Sequence, residues 1–476
     1  MRTEGVSPQS VLTPRDPFCR RRVHFIGLGG CGMQGAAILL HRLGAKVSGS
    51  DMNTPEDVRL LAAAGVTVQA GHAARNITPD IELVIFSAAV PANNPELIRA
   101  RELSIATISY ARLLGELMAT RTGVALAGTH GKSTTTGMTA HIFRQAGLDP
   151  SFIVGADSHQ LGGRSGLGSG PHLIVEACEY RRSFLHFCPN LAAVLNIEAD
   201  HLDYYRDIDD LIEAFNAFCT NVPPDGLVVI PHADEAARRA TQDIEAPVET
   251  FGLGDGATWR ACHLTSSEGR YEFDVLHREH WVMHAKLSLA GLHNVTNALA
   301  AIALAVRSGA DTQAIAAALE TYEGVLRRMT LRGQGRGVTV VDDYAHHPTE
   351  IRATIRAVRD RYNPKRTWVV FQPHQYSRTR ILIDTFAESF CDADIILVPD
   401  IYAARDSEQD RAAVNSADLV AKIHSHGKEA RHIPGLEQVT DHLESHVSPG
   451  DLVLTMGAGD VWKVADGLVE RIGRAH

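Results

Sequence analysis

The 476-residue sequence lacks the patterns that mark membrane and secreted proteins. No stretch approaches the roughly 18 uncharged apolar residues of a membrane-spanning helix, and the start, MRTEGVSPQSVLTPRDPFCRRR, has no apolar run like that of a secretory signal. The seven cysteines are never spaced as CxxC, so neither a disulfide framework nor a zinc site is indicated. We expect a cytoplasmic protein with no membrane insertion and with reduced, mostly buried thiols.

A surplus of positive charge is also lacking. Forty-six Lys and Arg residues face 56 Asp and Glu residues, which gives a formal net charge of −10, whereas nucleic-acid-binding proteins usually carry a basic surplus. We therefore expect no nucleic-acid partner. The chain is 45% apolar and 21% charged, as folded globular proteins are, and at roughly 150 residues per domain its length suggests about three domains.

Three segments of the chain alternate buried-looking strands with helical patterns, the rhythm of α/β folds with parallel sheets. We expect a Rossmann-like domain at 1–121 with a flexible start at about 1–21, a central P-loop ATPase-like domain with a mostly parallel sheet at 122–330, and a Rossmann-like domain at 331–476. The stretch from about 223 to 290 is predicted to hold strands and loops. The strands that define the pattern are predicted at 23–26, 45–51, 66–69, 83–86, 124–127, 173–175, 192–195, 338–341, 367–371, 394–398 and 452–455.

A glycine-rich turn follows the first predicted strand. Gly27, Gly29 and Gly32 have the spacing GxGxxG and open a helix, and Asp51 ends the next strand about twenty residues later. Taken alone, this fingerprint predicts NAD and a nicotinamide-dependent oxidoreductase. Its physical basis is broader, since a helix N-terminus holds any diphosphate and an acid at a strand end holds any ribose. The turn therefore indicates a nucleotide diphosphate, with a purely structural turn as the alternative.

A phosphate-binding loop opens the second segment. Gly128-Thr129-His130-Gly131-Lys132-Ser133-Thr134 follows a strand. In such loops the backbone N–H groups wrap the phosphates, the lysine neutralises them and the hydroxyl reaches Mg²⁺. The loop is shorter than the general pattern GxxxxGK[ST], because Leu126 stands where the first glycine would be. It predicts binding of a nucleoside triphosphate.

Two acidic positions after later strands of this segment suggest a magnesium site. Glu176 directly follows the strand at 173–175, and Asp200 and His201 follow the strand that ends at Leu195. Ligands of open α/β sheets bind at such strand ends. Carboxylate oxygens suit Mg²⁺, whereas histidine is a poorer ligand for so hard a cation. A structural role for His201 is therefore the alternative.

Three more polar clusters adjoin predicted elements. Gly291–Asn297 precedes an alanine-rich helix in which the Asn297 amide would need partners, and helix capping is its alternative role. Asp342–Pro348 and His374–Arg380 each follow a buried strand. The two arginines of the last cluster suit a carboxylate or a phosphate, and a solvated charged turn is the alternative.

These pieces, in this order, resemble the Mur ligases. The resemblance covers about residues 22 to 470. It is carried by the motifs HFIGLGGCGM with SGSD, AGTHGKSTTT, NIEADHLDYY, GLHNVTNALAA, VVDDYAHHPTEI, FQPHQYSRTR and TMGAGDVWKVAD.

The resemblance implies roles for particular residues. The nucleotide of the first domain is then UDP rather than NAD, held by Gly27, Gly29, Gly30, Gly32, Met33, Ser50, Asp51 and Ser87. ATP is held by Gly128, Thr129, His130, Gly131, Lys132, Ser133 and Thr134, with His293, Asn294 and Asn297 near adenine and Arg328 and Asp343 also in contact. Mg²⁺ is held by Ser133, Glu176 and His201. The amino acid is held by Tyr344, His346, His374, Arg378 and Arg380. The residues assigned to catalysis are Lys132, His346 and Arg378.

The implied activity is ATP-dependent amide formation. The motifs are closest to the branch of the family that joins L-alanine to the lactyl carboxylate of UDP-N-acetylmuramate through an acyl phosphate in peptidoglycan precursor synthesis. The amine base is His346, His347 or water. Glycine or serine as the amino acid, and the branch that attaches a recycled tripeptide, are alternatives within the family. A non-catalytic nucleotide-gated regulator is an alternative outside it, and the protein is expected to be a monomer or a homodimer.

Three positions depart from relatives in the family. Several members carry a modified, magnesium-bridging lysine some fifteen residues after the position of His201, and Asn216 stands there in this chain. That difference favours the alanine-adding and tripeptide-adding branches. Arg181 stands where relatives often have aspartate, and Gln375 where they often have arginine.

Overall fold

The computed structural model describes residues 17–52, 58–404 and 406–473. These form two compact units. The first contains the described residues up to Ile197 together with Ile212–Phe251 and Ala300–Ala318. The second contains Glu198–Leu211, Gly252–Leu299 and the described residues from Leu319 onward.

Strands and helices alternate along most of the chain. The strands are β1 (Arg22–Ile26), β2 (Lys46–Asp51), β3 (Thr67–Ala70), β4 (Leu83–Phe86), β5 (Ala106–Ser109), β6 (Thr122–Ala127), β7 (Ser151–Ile153), β8 (Ser165–Gly166), β9 (His172–Glu176), β10 (Leu191–Val194), β11 (Leu227–Pro231), β12 (Val248–Gly252), β13 (Trp259–Ser267), β14 (Arg270–His277), β15 (His280–Ala290), β16 (Thr330–Gly335), β17 (Val338–Asp343), β18 (Arg366–Phe371), β19 (Ile395–Val398), β20 (Glu429–His432) and β21 (Asp451–Met456). The α-helices are α1 (Cys31–Arg42), α2 (Val58–Ala63), α3 (Pro95–Glu102), α4 (Tyr110–Met118), α5 (Lys132–Gln145), α6 (Ile208–Thr220), α7 (Glu235–Ala240), α8 (Leu292–Arg307), α9 (Thr312–Thr321), α10 (Pro348–Tyr362), α11 (Tyr376–Glu388), α12 (Glu408–Ala413), α13 (Ser416–Ser425), α14 (Leu436–His446) and α15 (Trp462–Gly473).

The first unit contains a five-stranded parallel sheet in the order β3-β2-β1-β4-β5. Its central strand β1 is buried over four of its five residues, among them His24, as is expected of a central strand in a parallel sheet. The chain leaves β1 to one side for β2 and later returns to the other side for β4. A crevice for ligands forms at such a reversal, beyond the carboxyl ends of the strands.

The first unit also contains the strands that carry the phosphate loop, in the order β12-β11-β10-β6-β9-β7-β8. All of these neighbours are parallel except β7 and β8. Strand β6 is buried over its last five residues. It leads through the loop directly into α5, whose first residue is Lys132, so the loop lies at the carboxyl end of a central strand.

The second unit contains an antiparallel β13-β14-β15 ladder and a sheet in the order β16-β17-β21-β18-β19-β20. The latter sheet is parallel except for the pairing of β16 with β17. Apolar residues of its inner strands, including Val341, Val369 and Leu454, are fully buried against helices on one face. Val340, Val370 and Val453 are equally buried on the other face. This alternation is what a two-sided parallel sheet requires.

The predicted α/β class with mostly parallel sheets is confirmed, but three local expectations need correction. Between 223 and 290 the sequence predicts strands and loops, yet α7 forms there because the Asp234 side chain accepts a hydrogen bond from the Ala237 N–H and caps the helix. The expectation of a flexible start at about 1–21 is wrong at Phe18, which is buried, and residues 1–16 of that segment lie outside the described residues. The expectation of mostly buried thiols is wrong, because Cys219 is buried whereas Cys178, Cys188 and Cys391 are exposed.

Among the described residues, no helix combines the length and the apolarity that spanning a bilayer requires.

Candidate active site

The glycine turn of the first sheet is anchored on the end of β2. The N–H groups of Gly27 and Leu28 donate to the Ser50 carbonyl at 2.9 and 3.0 Å. The Gly29 N–H donates to Oδ2 of Asp51 at 2.7 Å. A Cβ at Gly29 would lie 2.8 Å from that oxygen, so a larger residue there would displace the Asp51 side chain. Asp51, which the resemblance assigns to the nucleotide, therefore also holds the turn.

The remaining residues assigned to UDP surround this turn. Gly30 is the N-cap of α1, and no side chain of the described residues caps the helix. Helix N-termini without a side-chain cap are the ones that bind anions through their first N–H groups. A Cβ at Gly32 would lie 2.5 Å from the Tyr110 hydroxyl, and Met33 is buried. The Ser87 side chain lies against the turn at Gly27. The structure thus brings these residues together.

The phosphate loop needs two glycines and is held by an asparagine. Gly128 and Gly131 have φ angles of 136° and 81°, which glycine adopts without strain. The Asn196 side chain donates to the His130 carbonyl at 3.1 Å and accepts from the His130 N–H at 2.8 Å. Its backbone carbonyl accepts from the Thr129 N–H at 3.1 Å. Sequence reasoning missed Asn196, although it lies in the quoted motif NIEADHLDYY.

Lys132 is paired with a carboxylate that sequence reasoning also missed. Its Nζ donates to the carbonyl of Thr129 at 3.0 Å and lies 3.1 and 3.0 Å from the two carboxylate oxygens of Glu179. Burial by itself lowers the pKa of Lys132, but the charge of Glu179 outweighs it, so the pKa is raised and the amine stays charged. Glu179 is itself buried.

Ser133 and Glu176 meet at the start of α5, where Thr134 is also buried. The Ser133 hydroxyl donates to Oε2 of Glu176 at 2.8 Å, and the same oxygen accepts from the Gly155 N–H at 2.9 Å. A hydroxyl and a carboxylate are hard oxygen donors that suit Mg²⁺. These two residues therefore fit a magnesium ion. His201, the third assigned ligand, belongs to the second unit.

The end of strand β17 holds a buried carboxyl in the second unit. Oδ1 of Asp343 accepts from the Ala345 N–H, and Oδ2 accepts from the Met329 N–H, both at 2.7 Å. Burial raises the pKa of Asp343 to about 6, although Arg328 opposes the shift. This carboxyl consequently titrates much closer to neutrality than an ordinary aspartate does.

Glu350, in the first turn of α10, joins the assigned ATP and amino-acid residues. Its carboxylate accepts from Nη1 of Arg328 at 3.3 Å and from the His346 N–H at 3.1 Å. The guanidinium carbons of Arg327 and Arg328 lie 4.9 and 5.4 Å from the centre of the Tyr344 ring. Sequence reasoning missed Glu350, whose one signal is its place in the motif VVDDYAHHPTEI.

The adjacent histidines His346 and His347 have different environments. Nδ1 of His346 lies 3.1 Å from the Tyr344 carbonyl, which can only accept, so Nδ1 carries the proton and Nε2 is the acceptor. Burial lowers the pKa of His346 to about 3, which keeps the ring neutral at neutral pH. His347 instead caps α10, because its Nδ1 accepts from the Thr349 N–H at 3.4 Å.

Arg378, in the first turn of α11, binds the carboxylate of Asp200. Both residues are buried. Burial by itself raises the pKa of Asp200, but Arg378 above all outweighs it and holds that pKa well below its usual range. A cavity of about 20 Å³ adjoins the pair. It is lined by Ala199, Asp200, His201, Leu202, Asp203, Gln375, Ser377, Arg378, Ile381 and Leu382.

His374, Gln375 and Arg380, the other residues of the cluster around Arg378, have separate environments. His374 stacks on Tyr402, with ring centres 5.5 Å apart, and its Nδ1 lies 3.4 Å from Nη1 of Arg378. Gln375 is buried at a φ of 69°. Arg380 is half exposed and lies 3.7 Å from Asp410. The structure therefore gathers His374 and Arg378 but not Arg380.

The residues assigned to adenine lie at the start of α8. Nδ2 of Asn294 donates to the Ala290 carbonyl at 2.7 Å, and Nδ2 of Asn297 donates to Oδ1 of Asn294 at 3.1 Å. Burial lowers the pKa of His293 to about 4, so this ring is neutral at neutral pH. The amide groups of Asn294 and Asn297 thus have hydrogen-bond partners within the protein. Such partners are what a structural role of these residues, the alternative to adenine binding, requires.

Two of the residues that differ from those of relatives in the family, Arg181 and Asn216, make hydrogen bonds within the protein. Arg181 is exposed and donates to the Ala88 carbonyl at 3.1 Å. Nδ2 of Asn216 donates to the carbonyls of Ala240 and Gln242 at 3.0 and 3.2 Å. Asn216 therefore ties α6 to the end of α7.

Solved structures with the same fold include ligases. A UDP-N-acetylmuramate-alanine ligase from Thermotoga maritima has a TM-score of 0.80 and 29% sequence identity, with 94% of this chain and 98% of that chain covered. A murein peptide ligase from Psychrobacter arcticus has a TM-score of 0.71 and 26% identity, with 96% and 99% covered.

Sequence comparisons lead to the same family. A UDP-N-acetylmuramate--L-alanine ligase of Acetivibrio thermocellus is 43% identical over 96% of this chain and 97% of its own length, and one of Clostridium novyi is 40% identical over 94% and 97%. Family models match at 22–122 (Mur ligase family, catalytic domain), 126–305 (Mur ligase middle domain) and 327–459 (Mur ligase, glutamate ligase domain). The chain belongs to the Mur ligase family.

Proposed function

We propose that this protein joins L-alanine to the lactyl carboxylate of UDP-N-acetylmuramate, with cleavage of ATP to ADP and phosphate. The observation that carries the proposal is the charged Lys132 in its loop beside the paired oxygens of Ser133 and Glu176. The relatives named above, which match nearly the whole chain, are ligases of this specificity by name. The product is a peptidoglycan precursor made from a UDP-sugar and alanine, with ATP as the source of energy, and we propose that the reaction takes place in the cytoplasm.

The first step activates the substrate carboxylate, which is otherwise a poor electrophile. A carboxylate oxygen attacks the γ-phosphorus of ATP, the bond to the bridging oxygen breaks, and ADP leaves with the electron pair. Lys132 and the N–H groups of the loop neutralise the charge that this transfer places on the phosphates. Asn196 contributes by fixing the loop backbone before ATP binds.

The second step forms the amide. The neutral amine of alanine attacks the acyl carbon, and phosphate leaves from the tetrahedral intermediate. We propose His346 as the base, because its Nδ1 is held at the Tyr344 carbonyl, which leaves Nε2 as an acceptor. Arg378, with His374 beside it, is proposed to orient the carboxylate of the amino acid.

Mg²⁺, when bound, supplies positive charge next to the triphosphate. Ser133 and Glu176 would hold it from the first unit, and His201 is proposed as the further ligand. We also propose domain boundaries at 1–121, 122–330 and 331–476, which the segments matched by the family models support.

The test is phosphate release from ATP and Mg²⁺ in the presence of UDP-N-acetylmuramate. L-Alanine, glycine, L-serine, the stem tripeptide or no amino acid is supplied in turn, and the product is identified by mass. Release with L-alanine together with a new UDP-linked amide supports the proposal. Release with the tripeptide alone assigns the protein to recycling, and no release in any arm refutes the ligase activity.

A further inference from the structure

The first sheet contains a buried carboxylate that the proposed mechanism does not use. Glu96 is the second residue of α3, and its side chain has no exposed surface. Burial of a carboxylate is costly unless charged or hydrogen-bonding groups surround it. The groups around Glu96 must therefore compensate for the cost of burying its carboxylate.

Four polar side chains converge on this carboxylate. Oε2 of Glu96 accepts from the Ser50 hydroxyl at 2.6 Å and lies 3.1 Å from Nδ1 of His72. Oε1 accepts from Nδ2 of Asn76 at 2.5 Å and lies 3.7 Å from Nε2 of His24. Burial by itself raises the pKa of Glu96, but the nearby His24 ring together with the hydrogen bonds from Ser50 and Asn76 outweighs it and lowers the pKa. The carboxylate is therefore ionised at neutral pH.

These contacts lead directly to the glycine turn. Ser50, whose hydroxyl binds Glu96, offers its carbonyl to the N–H of Gly27. The next residue, Asp51, holds the N–H of Gly29 with its carboxylate and the N–H of Gly71 with its carbonyl at 2.7 Å. The carboxylate of Glu96, on α3, is thus in contact with Ser50 at the end of β2 and with His72 and Asn76 in the segment after β3.

We propose that Glu96 is a positioning residue for nucleotide binding, which through Ser50 and His72 holds the end of β2 and the glycine turn in the conformation that receives the UDP moiety. The inference rests on the proposed function, since it takes UDP as the nucleotide of this sheet. A merely structural residue would affect folding stability but not the affinity of the folded protein. A positioning residue affects the affinity for this nucleotide and leaves that for ATP unchanged.

The experiment compares the full-length wild type with Glu96→Gln, which keeps the shape of the side chain and removes its charge. The dissociation constant of UDP is measured by calorimetry, and KM is measured for UDP-N-acetylmuramate, ATP and L-alanine. We expect the UDP dissociation constant and the KM for the UDP substrate to rise about tenfold, with the other KM values and kcat unchanged. Glu102→Gln on the same helix is the matched control, since Glu102 is exposed and pairs with Arg99.

The outcomes separate this inference from the proposed function. Failure of the wild type to bind UDP would refute the proposed function. UDP binding by the wild type with an unchanged dissociation constant for Glu96→Gln would overturn the inference alone, and so would a lower unfolding temperature without a change in affinity. If the Glu96 variant does not fold, Asn76→Ala decides, because Asn76 donates to Oε1 of Glu96 at 2.5 Å and is not one of the residues assigned to UDP. A raised UDP dissociation constant then supports the inference, and an unchanged one overturns it.

Discussion

Arg378 donates two hydrogen bonds to a single oxygen of Asp200, from Nε at 3.1 Å and from Nη2 at 2.8 Å. The two residues are 178 positions apart in sequence, and both are buried. The guanidinium proposed to bind the amino-acid carboxylate thus already holds a carboxylate of the protein. Nη1, next to His374, is the part of Arg378 outside this pairing and is therefore the proposed contact for the substrate.

Removing Asp200 is expected to destabilise the protein. Asp200→Ala leaves the buried Arg378 charge without its partner, so the free energy of unfolding should fall by about 3 kcal/mol, as measured by urea denaturation at neutral pH. The matched control is Asp384→Ala, which removes the exposed partner of Lys422 and should change stability by less than about 0.5 kcal/mol. Equal effects of the two substitutions would contradict the structural role of the pair.

Loss of Lys132 is expected to lower kcat strongly, and because it removes the ion pair with the buried Glu179, it should also lower the free energy of unfolding. Lys132→Ala removes the charge that faces the transferring phosphoryl group, and kcat should fall by about 10²–10³-fold or more. Phosphate release and circular dichroism check this prediction together. Lys463→Ala is the matched control, because Lys463 is half exposed and pairs locally with Asp460. Full activity of the Lys132 variant would remove the loop from the mechanism.

The carboxyl of Asp343 should make a recognisable contribution to the pH dependence of stability. Its pKa in the folded protein is about 6, above its ordinary value of 3.8, so the folded state binds the proton more tightly. Its contribution to stability is present below pH 3.8 and is lost as the pH rises through 6. In Asp343→Asn this loss is absent, and the variant should gain about 2 kcal/mol relative to wild type between pH 4 and pH 7.

Urea denaturation of both proteins at closely spaced pH values measures that difference. In the difference between the two proteins, the contributions of all groups that titrate alike in both cancel. A stability difference that stays constant between pH 4 and pH 7 would show that the folded-state pKa of Asp343 is not raised.

The two adjacent histidines should give different kinetic results. His346→Gln removes the proposed base and should lower kcat by about 10²–10⁴-fold. His347→Ala removes the cap of α10 and should lower the free energy of unfolding by about 1 kcal/mol with little loss of kcat. Because the pKa of His346 is about 3, its protonation should not reduce activity near pH 6.5. Equal loss of kcat in the two variants would contradict this assignment.

The sequence was sufficient to predict the glycine turn, the phosphate loop and the strands that precede them, because each rests on a local pattern. It was not sufficient for Glu96, which contacts Ser50 from 46 residues away, or for Glu350, whose contact with Arg328 crosses 22 residues. Such contacts depend on how α3 and α10 pack in the fold. Helix α7, by contrast, could have been predicted from local sequence, since Asp234 directly before it is an N-cap residue.

The contact between Lys132 and Glu179 gives the lysine of the phosphate loop a counter-ion within the protein. A ligand must displace, or coexist with, a carboxylate that already lies 3.0 Å from the lysine amine, so the protein carries its own competing anion. Glu179 therefore acts as an internal counter-ion, which keeps the buried amine of Lys132 charged, and any phosphate that binds the loop does so in competition with it.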